Sequence, residues 1–164
     1  MHSLTPDGLD AIEDGLDCIA MLLYYGGQVG PELWKLYPQM LYIVGGNPGD
    51  VDGGFAFEYL NNVATCIQNF IAKDPQTFLS VGPDQQKSYI QLTFEFLQQV
   101  FLMNQNGTSK TDGIVGLKIV ISVFENLPGQ IDHLLNSFVG TLLAELSVLL
   151  SKKKPDQTYL SMLL

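Results

Sequence analysis

The sequence predicts an all-α fold built from stacked antiparallel helix pairs. Apolar residues recur with the helical period of about 3.6 along nearly the whole chain. Clusters of proline, glycine and asparagine interrupt this pattern where helices are expected to end. Helix pairs start near residues 6, 53, 110 and 155, at spacings of roughly 47, 57 and 45 residues. HEAT and armadillo repeats have a period of about 40–47 residues, so a right-handed HEAT- or armadillo-like α-α superhelix is predicted.

Helix starts follow the chemistry of a small capping residue, then proline, then an acidic side chain. The start motifs are Thr5-Pro6-Asp7, Gly30-Pro31-Glu32, Pro83-Asp84 and Pro155-Asp156. Together with the apolar period, they predict helices over about 6–25, 30–45, 54–73, 83–104, 110–126 and 130–151, a short turn over 74–81 and a last helix from 155. Pro38 is expected to kink the second helix or to divide it into two short pieces.

The domain prediction is a single HEAT-repeat segment over 1–164. It contains three helix pairs, at about 6–45, 53–104 and 110–152, and the start of a fourth at 155–164. A terminal repeat is expected to be polar on its outer face, whereas the chain ends in Met162-Leu163-Leu164. We therefore expect a piece of a longer solenoid. The alternative is a C-terminal helix that folds back on the domain.

Composition excludes several classes of function. Apolar residues make up 46% of the chain and charged residues 15%, which supports a packed core. The net charge is -9 and all eight basic residues are lysines, which argues against a nucleic-acid binder. An acidic surface suits basic partners, or simply solubility. Residues 1–82 carry ten acidic residues and two lysines, a net of -8, so attraction for a basic partner should centre there.

The sequence also bears on the cellular compartment. Cys18 and Cys66 fall inside apolar helical patterns, so both are expected to be buried free thiols rather than a disulfide framework. The acidic N-terminus does not resemble a signal peptide, and no stretch reaches about 18 uncharged apolar residues. We therefore predict no membrane insertion and a reducing compartment, the cytosol or the nucleus.

One segment goes beyond generic helical pattern. Residues 30–42 place Pro31, Trp34 and Pro38 before an apolar helix that contains Tyr42, and an aromatic-rich segment from Phe55 leads into the next helix. This arrangement resembles importin-β-type nuclear transport receptors of the importin-7 and importin-8 group, over residues 8–80. The resemblance implies a fragment of a karyopherin that shuttles between cytoplasm and nucleus through the nuclear pore. It implies basic protein cargo, phenylalanine-glycine repeats of nucleoporins, and Ran GTPase as partners of the full-length receptor. It lies with the C-terminal half of such receptors, so no Ran-binding residue is carried over.

Two other functions stay open. One is a stand-alone armadillo-like adaptor or regulatory scaffold, and the other is a small helical enzyme or lipid-binding bundle. The sequence contains no phosphate-binding loop, nucleophile elbow, zinc-protease motif or dinucleotide fingerprint. We therefore predict a binding protein that is not an enzyme, with no catalytic, cofactor-binding or metal-ligating residues. Residues 49–54 superficially resemble a calcium loop but lack its distal glutamate, so a plain loop is favoured. His2 and His133 have no metal-ligand spacing.

Two groups of residues are candidate partner contacts. Asp7, Asp10, Asp14 and Asp17 recur at spacings of three, four and three, which places them on one helix face as an acidic stripe for a basic partner. A solvated helix face is the simpler interpretation of the same stripe. The aromatic candidates are Trp34, Tyr37, Phe55 and Phe57. Core packing is the favoured interpretation of these four, and partner contact is the alternative.

Overall fold

The computed structural model describes residues 11–47, 53–82, 86–106, 112–151 and 156–164. These residues form eight α-helices: α1 (Ile12–Tyr25), α2 (Pro31–Gly45), α3 (Leu60–Lys73), α4 (Pro75–Leu79), α5 (Tyr89–Asn106), α6 (Asp112–Asn126), α7 (Leu135–Ser151) and α8 (Gln157–Leu163). Short 3-10 turns, Phe57–Tyr59 and Asp132–Leu134, lead into α3 and α7. In the described part of the chain, β pairing is limited to an isolated antiparallel bridge between Val81 and Ser88. The all-α prediction is confirmed.

The helices pack in two rows. In the first row α1, α3, α6 and α8 lie one against the next, and in the second row α2, α5 and α7 do the same. Contacts of α2 with α3 and of α5 with α6 join the rows around a shared core. Long helices that follow one another in the chain thus alternate between the rows, as in stacked antiparallel pairs. The right-handed superhelical turn of such a stack stays a prediction.

Side-chain hydrogen bonds to backbone carbonyls hold α3 in the middle of the first row. The Cys66 thiol donates to the Leu16 carbonyl of α1 at 3.4 Å. On the other side, Gln68 Nε2 donates to the Lys118 carbonyl of α6 at 3.2 Å. Because these carbonyls belong to neighbouring helices, the bonds fix how far each helix is displaced along the next.

An aromatic cluster fills the core between the rows. Trp34 and Tyr37 of α2 meet Phe70 of α3, with ring centroids 4.6 and 5.0 Å apart respectively. Tyr89 at the start of α5 lies 4.5 Å from Trp34 and 5.5 Å from Tyr37. Large aromatic side chains contribute most to core stability when they are fully removed from water, as Tyr37 and Phe70 are here.

Asp74 joins three helices at one corner of this core. It is the N-cap of α4, where its Oδ1 accepts a hydrogen bond from the backbone N–H of Thr77 at 3.1 Å. Its Oδ2 accepts from the indole N–H of Trp34 at 3.2 Å. Pro75 occupies the first turn of α4, where its missing N–H has no helical partner to lose. The Asp74-Pro75 pair therefore both starts a helix and anchors α2.

The prediction that Pro38 divides the second helix is wrong, because α2 runs unbroken from Pro31 to Gly45 with Pro38 inside it. An internal proline removes one backbone hydrogen bond and costs about 3 kcal/mol. Tyr37, Met40 and Leu41 around it are buried against neighbouring helices. We attribute the unbroken helix to this packing, which outweighs the local cost.

Two predicted helix starts are corrected. The predicted start at Gly54 is wrong because the backbone N–H groups of Gly54 and Ala56 donate to the Val44 and Ile43 carbonyls at the end of α2. A side chain at Gly54 would lie 2.1 Å from the Ile43 oxygen, so glycine is required for this close approach. These bonds hold the chain outside a helix until the 3-10 turn before α3.

The fourth long helix begins at Tyr89 rather than at 83, and Pro83-Asp84 itself lies outside the described residues. The Tyr89 N–H donates to the Ser80 carbonyl at 3.2 Å, beside the bridge between Val81 and Ser88. This pairing brings Ser80 and Val81, which follow α4, close to Ser88 and Tyr89 at the start of α5. Val81 and Ser88 are seven residues apart, and a helix-start motif does not reveal their pairing.

The expectation that both thiols are buried holds for Cys66 alone, because Cys18 is exposed. Cys18 lies on the side of α1 opposite Ile12, Leu16 and Ile19, which face the core. Both cysteines are free.

By length and composition alone, the segment 132–151 could cross a membrane, with a mean hydropathy of 1.6. It is the one such segment that the described residues contain. In this structure it packs against α5 and α8. Phe138, Glu145 and Leu149 are its buried residues within α7.

Candidate functional site

Two grooves run along α5, one on each side of it. The first groove lies between α2 and α5 and encloses about 550 Å³. The second groove lies between α5 and α7 and encloses about 560 Å³. Gln98 and Leu102 of α5 line both grooves and so form the ridge between them. Each volume lies within the range of about 300–1,000 Å³ that is typical of ligand sites.

Gly45 faces the Phe96 ring at the floor of the first groove. Leu41 and Gly45 of α2 and Phe96 of α5 line it and are buried. A side chain at Gly45 would begin 3.0 Å from the Phe96 ring, so glycine lets the ring pack here without shifting. The exposed Tyr42 stands at the rim. The first groove therefore has an apolar floor, and the Tyr42 ring lies at its edge.

The second groove is mixed in character, because aromatic residues of α5 face small and polar residues of α7, among them Asn136, Ser137 and Thr141. Phe94 and Phe101 line it from α5, and Gly140 and Ala144 line it from α7. The Phe94 ring lies 5.0 Å from the buried Phe138 ring of α7, edge to face, which fixes the spacing of the two helices. Small residues on one wall and aromatic residues on the other leave room for an inserted side chain.

Charge is sparse around both grooves. Lys87 and Glu95 form an ion pair beside the first groove, and both are about half exposed. A third hollow, of about 240 Å³, adjoins this pair near Leu134. An exposed ion pair of this kind is worth little, so either member can exchange its partner for a group on a bound protein.

Glu145 borders the second groove and is almost fully buried. The Tyr159 hydroxyl of α8 donates to Glu145 Oε2 at 2.9 Å, and Asn104 Nδ2 lies 3.4 Å from the same oxygen. Burial, the Glu145 charge and this hydrogen bond all raise the pKa of Tyr159, so the phenol keeps its proton and remains a donor. The Asn104 side-chain oxygen accepts from the Gly113 N–H at 3.2 Å. Three helices, α5, α7 and α8, therefore meet at this carboxylate, and α6 is joined to it through Asn104.

The acidic stripe is only partly within the described residues. Asp14 and Asp17 are exposed on α1, whereas Asp7 and Asp10 lie outside the described residues. Asp17 Oδ1 accepts a hydrogen bond from Asn62 Nδ2 of α3 at 3.0 Å. Asp14 is followed on the outer face of α1 by Met21 and Tyr25, which are 61% and 81% exposed. This face therefore begins acidic and ends apolar.

The four aromatic candidates are not brought together. Trp34 and Tyr37 lie in the core, 4% and 0% exposed. Phe55 is exposed and Phe57 is half-buried, and neither lines the first or the second groove. The aromatic residue that does reach a groove from this region is Tyr42. Of the two histidines, His133 is exposed and His2 lies outside the described residues.

Sequence reasoning missed both grooves. A groove between helices that are about 50 residues apart depends on which side chains are in contact. The sequence around Gly45 and Phe96 does not predict that these two residues are in contact. The buried Glu145 left a usable signal, because it interrupts the apolar series of Leu142, Leu146 and Leu149 on α7. A lone acidic residue within such a stripe predicts a buried, hydrogen-bonded carboxylate.

The arrangement suits binding of apolar side chains from another protein. The apolar floor of the first groove can accept a large side chain, and polar side chains along both grooves can hydrogen-bond the adjoining backbone. No group of three or more His, Cys, Asp or Glu that could hold a metal ion occurs within the described ranges. Comparison of the chain with protein-family models, with curated proteins and with solved structures gives no match.

Proposed function

We propose that this chain is a helical scaffold that binds other proteins, and that it serves a nuclear transport receptor similar to the importin-7 and importin-8 group. The observation that carries the scaffold function is the pair of grooves on either side of α5, of which the first is mostly apolar and the second is mixed. Two parallel grooves with a shared ridge fit an extended or helical segment whose large side chains enter both. Binding through a few side chains is transient, which suits a carrier that must release its partner.

The receptor function draws its support from the sequence. The Pro31, Trp34 and Pro38 pattern carries the resemblance, and the net charge of -8 over residues 1–82 favours a basic cargo. Asp14 and Asp17 are exposed on α1 and available to such a cargo. The receptor proposal therefore requires two activities of one chain: binding of phenylalanine-glycine repeats and binding of basic protein segments.

The groove is tested with a fluorescently labelled phenylalanine-glycine repeat peptide. Binding by the chain should have a dissociation constant on the order of 0.1 mM, and the same peptide with serine in place of phenylalanine should not bind. Gln98→Trp, which places an indole on the ridge between both grooves, should weaken binding at least about fivefold. Gln28→Trp is the matched control, because Gln28 is exposed and lines neither groove. Equal effects of the two substitutions would place the binding elsewhere.

The acidic face is tested with a labelled lysine-rich peptide. Raising salt from about 20 to 200 mM should weaken its binding severalfold, because exposed charges are screened. Replacing Asp14 and Asp17 by asparagine should have a similar effect, whereas Glu125→Gln with Asp132→Asn, both exposed and distant in the chain, should not. Failure of the chain to bind either peptide would remove the receptor function, and binding of the basic peptide alone would leave only an acidic scaffold.

A further inference from the structure

The two grooves lie side by side across α5. The α5 residues that line the first groove fall within 92–102, and those that line the second fall within 94–102, so both grooves are centred at nearly the same level of the helix. Because α2, α5 and α7 pack in one row, the centres of the grooves are one interhelix distance apart, about 8–10 Å. A segment that fills both grooves must therefore cross α5 steeply and carry two side chains that far apart.

This spacing restricts the backbone conformation of the segment. In a polyproline II helix, side chains three residues apart point in the same direction and are about 9.3 Å apart. In a β-strand, side chains on one face are about 6.8 Å apart, or about 13.6 Å at the next position, and neither value fits. In an α-helix, side chains seven residues apart are separated by about 10.5 Å. The spacing therefore allows a polyproline II segment or an α-helix.

Polar groups along the crossing favour polyproline II over the α-helix. Gln98 is exposed on the ridge between the grooves, and Asn136, Ser137 and Thr141 line the second groove. A polyproline II backbone makes no internal hydrogen bonds, so its N–H and C=O groups can pair with these side chains, whereas an α-helix uses its own backbone groups internally. Tyr42, 54% exposed at the rim of the first groove, offers a ring for proline to pack on.

Charge limits the composition of the segment. Among the described residues that line the two grooves, the charged ones are Lys87, Glu95 and Glu145. Lys87 and Glu95 pair with each other, and Glu145 is almost fully buried beside Tyr159. The chain as a whole carries a net charge of -9, so it repels an acidic segment. An uncharged segment is therefore the complementary occupant of the grooves.

We propose that the grooves bind an uncharged polyproline II segment in which a large aliphatic side chain and a tyrosine are three residues apart. The aliphatic side chain enters the first groove, where Leu41 and Phe96 form an apolar floor. The tyrosine enters the second groove, where its ring meets Phe94 and its hydroxyl meets the polar side chains of α7. This inference rests on the proposed scaffold function and narrows the class of partner that the scaffold binds.

Fluorescence anisotropy with labelled peptides tests the spacing. The probe contains Leu-Pro-Pro-Tyr between flexible ends of glycine and serine, and two further peptides contain one or three prolines between the leucine and the tyrosine. The two-proline peptide should bind at least about fivefold more tightly than either of the others, because only its two side chains reach both grooves. Equal binding of the three peptides would overturn the proposal. So would tighter binding by an alanine-rich helical peptide with leucine and tyrosine seven residues apart.

A substitution at Gly140 tests which side chain enters the second groove. Gly140 lines this groove and a side chain added there meets nothing within 4 Å, so Gly140→Leu fills the groove without strain. It should weaken the two-proline peptide at least about fivefold, and have no effect on the same peptide with alanine in place of tyrosine. Gly27→Leu is the matched control, because Gly27 also meets nothing within 4 Å and lines neither groove.

The outcomes separate this inference from the function on which it rests. If Gly140→Leu weakens both peptides equally, the tyrosine does not enter the second groove and the proposal fails. Binding of the phenylalanine-glycine peptide without binding of any proline peptide would also overturn the proposal, and would leave the scaffold function standing. If neither class of peptide binds at concentrations up to about 1 mM, the scaffold function falls with it.

Discussion

Thr93 of α5 joins two helices through one buried hydroxyl, and replacing it by valine should destabilise the protein. Its Oγ1 donates to the Tyr89 carbonyl at 2.7 Å and lies 2.6 Å from the Tyr37 hydroxyl of α2. Because the Thr93 proton is used for the Tyr89 carbonyl, the Tyr37 hydroxyl is the donor to Thr93. Both side chains are 0% exposed, so no water replaces a lost partner.

The expected free-energy costs depend on which hydroxyl group loses its hydrogen-bond partner. Valine has nearly the shape of threonine, so Thr93→Val leaves no cavity but strands the buried Tyr37 hydroxyl, at a cost of about 1–3 kcal/mol. Tyr37→Phe removes the donor and leaves Thr93 bonded to the Tyr89 carbonyl, at about 0.5–1.5 kcal/mol. With both changes no hydroxyl is stranded, so the double variant should cost clearly less than the sum of the two.

Urea unfolding followed by far-ultraviolet circular dichroism measures these free energies for the four proteins of the cycle. Thr93→Val should also lower the melting temperature by about 2–4 °C per kcal/mol for a chain of this size. Thr65→Val is the control, because the exposed Thr65 bonds only within α3 and its loss should change stability by less than about 0.5 kcal/mol. If Thr93→Val costs less than Tyr37→Phe, the assigned direction of the hydrogen bond is wrong. If the two costs simply add, the two hydroxyls are not coupled.

Three further predictions concern glycines, thiols and pH. Gly113→Ala should destabilise the protein by about 1–3 kcal/mol, because the new methyl would lie 2.5 Å from the Tyr159 ring. Gly140→Ala meets open space and should stabilise α7 by about 0.5–1 kcal/mol. Urea midpoints measure both changes. A thiol reagent at pH 8 should modify the exposed Cys18 rapidly, and Cys66 only after unfolding. Burial raises the pKa of Cys66 from 9.0 to about 12. The unfolded chain therefore loses this proton first, and stability should fall as pH rises from about 9 toward 12, less steeply in Cys66→Ala than in the parent chain.

The sequence was sufficient for the helices whose signals are local. Helices α1, α2 and α6 follow from apolar periodicity and from glycine or asparagine at their ends, and α8 follows from the Asp156 cap. These signals act through residues within one or two turns, so they can be read along the chain. The alternation of helices between two rows agrees with the antiparallel pairs that the spacing predicts.

The features that escaped prediction depend on pairing or packing between segments rather than on signals within one helix. The start of α5 is set by the pairing of Val81 with Ser88, and the unbroken α2 reflects packing around Pro38. The first groove is lined by Gly45 and Phe96, whose contact no local pattern records. Exposure of Cys18 was missed because an apolar neighbourhood in sequence was taken for a buried one, although the helical angle of Cys18 places it opposite the core.

The two-row packing determines how events at the two ends of the molecule influence each other. Helix α3 separates α1 from α6, and α5 separates α2 from α7, so the described ends of the stack meet only through the helices between them. In such nearest-neighbour packing, energy gained at one end is passed on only if an intervening helix moves. A partner on the acidic face of α1 and a partner on α7 should therefore bind with additive free energies. On the proposed scaffold function, two proteins are then expected to bind at once without either one expelling the other.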